Sequence, residues 1–381
     1  MQYRHFGRTG VQVSALGFGT MHLPLLDGDQ GSSSYGGNQI DEETSIACLR
    51  YAVDQGVNYI DTAYNYLFGN SELVVGRALR DGYRARVHLA TKCPTWLIDS
   101  EEAFDRILDE QLRKLQTDHI DMYLLHTLTE EYWEQIVLKY GLLEKMQQAK
   151  ADGRIRFMGF SFHDELPVFR RIVDSAPWDF CQIQLNYVDV RHQAGVEGLH
   201  YAAERGLAVS IMEPLRGGYL VHPPKEAEEL LRAHGKNPVQ FAFDFLWNDP
   251  AVSLLLSGMG TMEQLKENLR YADQARVGAF DGEAEAEQLR EIIYRHNQIG
   301  CTGCRYCEGV CPMNIPISTI FRCFYDYTNG NDDAAKNAYR ALKTGEHGLV
   351  ADCLDCRACE QICPQHIPAP DWLKKTDRLL R

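Results

Sequence analysis

The stretch LGFGTMHLP, residues 16–24, decides between two architectures. It closes the first of eight short apolar runs: VSALGFGT (13–20), VNYIDTA (57–63), VHLATK (87–92), HIDMYLLH (119–126), IRFMGFSF (155–162), FCQIQLN (180–186), LAVSIMEP (207–214) and VSLLLSGM (252–259). Between the runs lie amphipathic segments, among them DEETSIACLRYAVDQG, SEEAFDRILDEQLRKL and EYWEQIVLKYGLLEKMQQAKADG. Their apolar residues recur at helical spacing, and they begin at capping residues such as Asp41 and Ser100. Apolar strands that alternate with helices form parallel sheets covered on both faces. A doubly wound open sheet would favour a glycine-rich phosphate fingerprint after its first strand. LGFGTMHLP lacks the full G-x-G-x-x-G, so the eight units are expected to close into a (β/α)8 TIM barrel.

Length and charge bound the function. With 381 residues, 45% of them hydrophobic, the chain has material for one large domain and a small one. The start, MQYRHFGRTGVQV, has no apolar run fit for a signal peptide, and no stretch approaches the roughly 18 apolar residues of a membrane span. The expectation is a cytoplasmic protein with no membrane association. A formal net charge of −14 argues against nucleic acid or an anionic membrane as partner and leaves room for a basic protein.

Within the proposed strands, polar residues collect at the C-terminal ends: Asp61, Lys92, His126, Ser161, Gln184 with Asn186, and Glu213. A barrel of this class keeps its chemistry there. Any one could be a solvated strand end, but recurrence over six successive strands points to a shared site. DTAYNY (61–66), GNSELVVG (69–76), ATK (90–92), YLLH (123–126) and MGFS (158–161) together resemble the aldo-keto reductase family, from about residue 1 to residue 275. The resemblance implies an oxidoreductase that interconverts a small carbonyl and an alcohol by hydride transfer. Its catalytic tetrad falls on Asp61, Tyr66, Lys92 and His126, with Tyr66 as proton donor. The residue types suit the task. Hydride addition leaves charge on the carbonyl oxygen, so a proton donor must sit beside it. A free phenol, with a pKa near 10, is a poor acid at neutral pH, but an adjacent ammonium favours phenolate, and an aspartate holds the ammonium in place. Tyr64 is the competing tyrosine, and spacing from Asp61 selects Tyr66.

The resemblance also implies NADPH or NADH, held by Ser161, Gln184, Pro214, Leu215, Arg216, Gly217, Gly258, Gln264, Glu267 and Asn268. Departures from the family pattern qualify this. Phe162 stands where an Asn commonly binds the carboxamide. Gln182, Gln184 and Asn186 lie two apart on one strand face, and Gln184 is preferred. Met212 replaces the usual stacking aromatic, with Tyr187 as substitute. Glu267 and Asn268 keep the pair that reaches adenine in relatives, but Gly258 and Gln264 stand where NADPH-specific members carry cations, which leaves NADH equally eligible. A flavin is the further alternative. Arg216 in PLRGG is either a phosphate contact, with Gly217 and Gly218 admitting backbone amides, or part of a turn. LPLLDGDQGSSSYGGNQ reads as a mobile loop or lid at the active face, and Trp96, Phe68 and Tyr187 as pocket lining.

CTGCRYCEGVCP (301–312) and CLDCRACEQICP (353–364) carry the same four-cysteine spacing. C-x2-C-x2-C-x3-C-P is the bacterial ferredoxin pattern, in which the fourth cysteine ligates the other cluster of a pair. Structural zinc draws on two separated C-x2-C pairs instead. Two 4Fe-4S clusters are therefore expected on Cys301, Cys304, Cys307, Cys311, Cys353, Cys356, Cys359 and Cys363. IPISTIFRCFYDY and NDDAAKNAYRALKTG between the motifs read as helices, which makes residues 283–381 resemble an α-helical ferredoxin-like domain after a barrel of residues 1–282. EAEAEQLREIIYRHN joins the two. Such a module implies a redox protein partner beside the small-molecule substrate. Cys48, Cys93, Cys181 and Cys323 are expected to be buried.

Overall fold

The computed structural model describes residues 1–26, 39–345 and 347–381. Most of the proposed lid lies outside them. A two-stranded hairpin, β1 (Tyr3–His5) and β2 (Gln12–Ser14), precedes eight parallel strands that close into a barrel. These are β3 (Leu16–Gly19), β4 (Tyr59–Asp61), β5 (His88–Cys93), β6 (Ile120–Leu128), β7 (Ile155–Phe162), β8 (Phe180–Gln184), β9 (Ala208–Met212) and β10 (Leu254–Gly258), and β10 closes on β3 with Gly258 opposite Gly19. Each overlaps one of the eight apolar runs, β5 extending past its run to Cys93 and β6 past its run to Leu128.

Strand parity decides what faces the interior. Tyr59, Ala90, Met122, Phe180, Ala208 and Leu254 share a buried cluster with Phe6, which plugs the barrel from the hairpin side. Stepping two residues along the same strands places Asp61, Lys92, Leu124 and Gln182 inward, and a further step from Leu124 reaches His126. The β6–β7 register shifts between Leu125 and Leu128, where Thr127 takes a φ of 58°, a conformation a β-branched residue resists. Such irregularities re-aim side chains, and this one falls beside His126.

Helices Glu42–Asp54 and Glu101–Leu115 follow β3 and β5. Asp41 caps the first by accepting from the Thr44 amide at 3.0 Å, whereas Ser100 makes no cap hydrogen bond. The long helical segment after β6 is not continuous. A short helix and a wide π-type turn, Trp133–Leu138, lead to Gly141, whose φ of 61° breaks the path before Leu142–Ala151. Glycine alone accepts that geometry cheaply. Cys48, Cys93, Cys181 and Cys323 are all buried. Among the described residues no helix is long and apolar enough to cross a membrane.

By contact, the described residues form two units. One holds residues 1–26, Gln39–Pro214 and Ala242–Asp281, and the other Leu215–Phe241 with Gly282–Arg381. The second unit is helical. Ile317–Thr328 and Ala369–Leu380 pack Ile320, Phe321, Phe324 and Leu373 into its core with Ile315 and Ile367. Its backbone repeats in step with Cys301 and Cys353. Left-handed residues recur at Gly303 and Asp355, at Arg305 and Arg357, and at Asn314 and His366. Short helices Tyr306–Gly309 and Ala358–Gln361 follow in the same order.

Candidate functional site

Three neighbouring strands bring the barrel's polar ends together. Lys92 is fully buried, and its ammonium donates to Asp61 Oδ1 at 2.7 Å, to the Thr62 carbonyl at 2.8 Å and to the Tyr66 hydroxyl at 3.1 Å. An ammonium has three donors, and here each has a partner. Burial raises the Asp61 carboxyl above the ordinary carboxylate range and lowers the Lys92 ammonium, and the contact between them offsets both. Tyr66 opens a tight turn in which Leu67, Phe68 and Gly69 all have positive φ, at 49°, 59° and 82°. Two such non-glycine residues in succession store strain next to the phenol. Tyr64 turns elsewhere, its hydroxyl donating to Glu110 at 3.2 Å while Lys114 stands 4.1 Å from its ring centroid.

His126 closes the group. Its ring stands edge-on to Tyr66, with centroids 6.1 Å apart, and 5.1 Å from Trp96. Burial holds its pKa well below the usual histidine value, and the charges of Lys92 and His163 add to this, so the imidazole is neutral. Nδ1 is buried with no hydrogen-bond partner among the described residues. Trp96 is half-buried at this mouth, and Phe68 is 53% exposed.

Behind Lys92 lies a polar network that spacing did not reveal. The buried Glu72 carboxylate accepts from Thr91 Oγ1 at 2.7 Å and Gln111 Nε2 at 2.6 Å. Gln111 Nε2 also reaches the Lys92 carbonyl at 3.0 Å, and the Tyr123 hydroxyl donates to Gln111 Oε1 at 2.8 Å. Its members come from β5, β6 and two helices, so only the fold unites them.

The residues expected to hold a dinucleotide divide. Ser161 Oγ accepts from the Thr127 amide at 2.8 Å, and Ser161 pairs across strands with Gln182. Gln182 Oε1 is buried with no hydrogen-bond partner among the described residues, and its Nε2 lies 3.7 Å from Met212 Sδ. The preferred Gln184 instead donates to Asp189 Oδ2 at 3.3 Å, and Asn186 donates to the same oxygen at 3.1 Å. Phe162 faces away from the interior and packs 5.0 Å from Phe169. Tyr187 is fully buried, edge-on to Phe245 at 6.4 Å, while Met212 remains partly exposed. Asn268 Nδ2 donates to Ser257 Oγ at 3.1 Å, Glu267 accepts from the Tyr271 hydroxyl at 2.6 Å, and the exposed Gln264 accepts from the Gly260 amide at 2.9 Å. Gly258 and Pro214 lie with the barrel unit, but Leu215, Arg216 and Gly217 belong to the second unit.

The cysteines of the second unit gather into two sets. Burial raises the Cys307 thiol, and Cys304, Cys301 and Cys363 raise it further. Burial raises Cys359 to about 11, with Cys311, Cys353 and Cys356 adding. A small, mostly apolar cavity is lined by Cys311, Cys353, Cys356 and Cys359 together. The fourth cysteine of each motif thus sits with the first three of the other. Gly303 N donates to Cys301 Sγ at 3.3 Å and Ile315 N to Cys311 Sγ at 3.4 Å, contacts of the kind that stabilise a thiolate. Among the described residues no three His, Cys, Asp or Glu side chains converge as around a single metal ion. Two sets of four thiols, one of them lining a cavity, suit a larger inorganic cluster better than zinc.

Comparison with known proteins agrees with both regions. Residues 15–281 match the Aldo/keto reductase family, and residues 300–367 match the 4Fe-4S dicluster domain. L-galactose dehydrogenase of Arabidopsis thaliana is 26% identical over 317 residues, 77% of this chain and 95% of its own length. Aldo-keto reductase YhdN of Bacillus subtilis is 29% identical over 314 residues, 70% of this chain and 88% of its own. Among solved structures, the aldo/keto reductase from Klebsiella pneumoniae in complex with NADP and acetate superposes with a TM-score of 0.59 at 27% identity, covering 76% of this chain and 95% of that one.

Proposed function

Because the chain belongs to the aldo/keto reductase family, we propose that this oxidoreductase interconverts a small carbonyl and its alcohol, with Tyr66 as the proton donor and a nicotinamide dinucleotide as hydride carrier. The observation that carries this reading is the buried Lys92 ammonium, 3.1 Å from the Tyr66 hydroxyl and 2.7 Å from Asp61. When bound, the nicotinamide supplies or accepts the hydride. Tyr66 delivers a proton to the oxygen that gains charge. The ammonium beside the phenol favours phenolate and so makes the phenol a stronger acid, and Asp61 keeps that ammonium charged and fixed. His126, held neutral, orients the carbonyl oxygen through a ring N–H without adding positive charge. Trp96 and Phe68 screen the mouth with apolar surface.

Ser161 and Gln182 are the pair suited to a carboxamide, since a hydroxyl and a buried amide oxygen with no partner among the described residues stand side by side on the interior face of β7 and β8. Uncharged Gly258 and Gln264 give no preference for a ribose phosphate, so NADH and NADPH are both substrates of this reading. In the second unit, Cys301, Cys304, Cys307 and Cys363 hold one 4Fe-4S cluster, and Cys353, Cys356, Cys359 and Cys311 the other. Such clusters pass single electrons, which implies exchange with a redox protein.

Tyr66→Phe tests the barrel reading. Turnover with NADH or NADPH should fall by about 10²–10⁴, while fluorescence titration shows dinucleotide binding nearly unchanged, because the variant deletes the proton donor and little volume. Normal turnover would end the assignment. Binding of neither dinucleotide would instead favour a barrel that serves as a docking scaffold.

A further inference from the structure

The two cysteine loops share a backbone but not an environment. Thr302 and Leu354 occupy equivalent positions, yet Thr302 is 3% exposed and Leu354 64%. In the second loop, Leu354 through Arg357 are all exposed, Cys356 among them. In the first, Thr302 is buried and Gly303 through Arg305 are half-buried. The cause lies within the second unit. Gly217, at φ 62°, packs so closely on the first loop that a Cβ there would stand 1.7 Å from the Thr302 carbonyl oxygen. Arg216 and Tyr219 are buried alongside, with Arg322 5.0 Å over the Tyr219 ring and Tyr325 edge-on to it at 4.6 Å. No described residue covers the second loop in this way.

What the second loop presents is apolar at its centre and polar at its margin. Leu354 and Val310, the latter 41% exposed, line the same cavity as Cys311, Cys353, Cys356 and Cys359. Around them Asp355 pairs with Lys374 at 3.0 Å, and Arg357 with Glu360 at 2.9 Å and Asp371 at 3.5 Å. An apolar centre within a rim of paired charges is the anatomy of a protein interface, and its small extent suits the weak, transient contacts of electron transfer.

We propose that the second cysteine loop is the port through which single electrons enter or leave this chain, and that its occupant is a small one-electron carrier protein of ferredoxin type. This rests on the cluster assignment above. The step balances simply. The carrier's reduced cluster gives up one electron, the cluster on Cys353, Cys356, Cys359 and Cys311 gains it, and no bond or proton moves. The covered first loop is closed to a protein of that size, whereas Leu354 and Val310 offer the carrier an apolar patch beside an exposed ligand.

The test is anaerobic stopped-flow reduction of the full chain by a reduced two-cluster bacterial ferredoxin and, separately, by dithionite. Wild type is compared with Leu354→Glu and with Leu354→Thr, which copies the first loop. Iron, sulfide and electron paramagnetic resonance spectra are recorded on every sample. Leu354→Glu should slow reduction by ferredoxin about tenfold or more and leave the dithionite rate unchanged. Leu354→Thr should slow it less. Equal ferredoxin rates for wild type and variants with full clusters, whether fast or absent, would overturn the proposal. Wild type without clusters would overturn the cluster assignment itself.

Discussion

The barrel site is buried and the cysteine loops are partly exposed, and the two are held in opposite ways. Asp61, Lys92 and His126 project from β4, β5 and β6, whose parallel register positions them whatever occupies the site. The Lys92 ammonium donates to Asp61, the Thr62 carbonyl and the Tyr66 hydroxyl. Six of the eight motif cysteines sit on loops built around left-handed residues, and Cys307 and Cys359 sit in the four-residue helices Tyr306–Gly309 and Ala358–Gln361. Their neighbours are other thiols, which repel once ionised. A site on strands can lose a side chain and keep its fold, whereas a site on loops depends on what the loops bind.

The largest effect expected from this contrast is at the exchanged cysteines. Cys311→Ala should remove chiefly the cluster held by the second motif, and Cys363→Ala the one held by the first. Iron and acid-labile sulfide should drop from about eight to about four per chain, and limited proteolysis should open residues 300–381 while the barrel stays resistant. Loss confined to the mutated motif's own cluster would refute the exchange.

In the barrel, Asp61→Asn should leave fold and register intact but strand a buried ammonium, at a cost of about 3–5 kcal/mol that thermal unfolding measures, with turnover lost. The double variant Asp61→Leu with Lys92→Met should regain much of that stability and none of the activity. If it did not, the ion pair would be a structural brace and the contrast would weaken.

A smaller, pH-dependent effect belongs to His126. Its folded pKa lies well below 6.5, its unfolded value. Below pH 6.5 the unfolded chain binds a proton that the folded chain refuses. Stability therefore falls as pH drops from 6.5 toward the folded pKa, by up to about 1.4 kcal/mol per pH unit. His126→Gln removes this contribution, so urea unfolding of wild type and variant should diverge between pH 6.5 and 5.5 and run parallel above pH 7.5. Parallel behaviour throughout would show that His126 is not the buried neutral group described.

What could be read in advance follows the range of the signal. The eight strands were legible as apolar runs, six of them ending in polar residues, and the expected tetrad through its resemblance to a family pattern rather than through the runs themselves. Gln182 and Gln184 share a parity, so only the pairing of Ser161 with Gln182 separates their depths. The Glu72, Thr91 and Gln111 network spans positions 19 to 39 residues apart. Nothing local announces such contacts. Nor does PLRGG show, as a stretch of sequence, that Leu215–Phe241 groups with the cysteine-bearing unit.

If each fourth cysteine ligates the other motif's cluster, as proposed, that exchange also bears on how the protein is made. A ribosome delivers Cys301, Cys304, Cys307 and Cys311 well before Cys353, so the first motif emerges complete in count but with its last thiol reserved for the other cluster. The cluster on Cys353, Cys356, Cys359 and Cys311 cannot be finished until Cys359 has been synthesised, and the other not until Cys363. An assembly factor that inserted iron and sulfur early would use Cys311 in place of Cys363 and leave the second motif one ligand short. Correct maturation therefore favours insertion into the finished tail, and pulse-labelled chains halted before Cys359 should carry no properly ligated cluster.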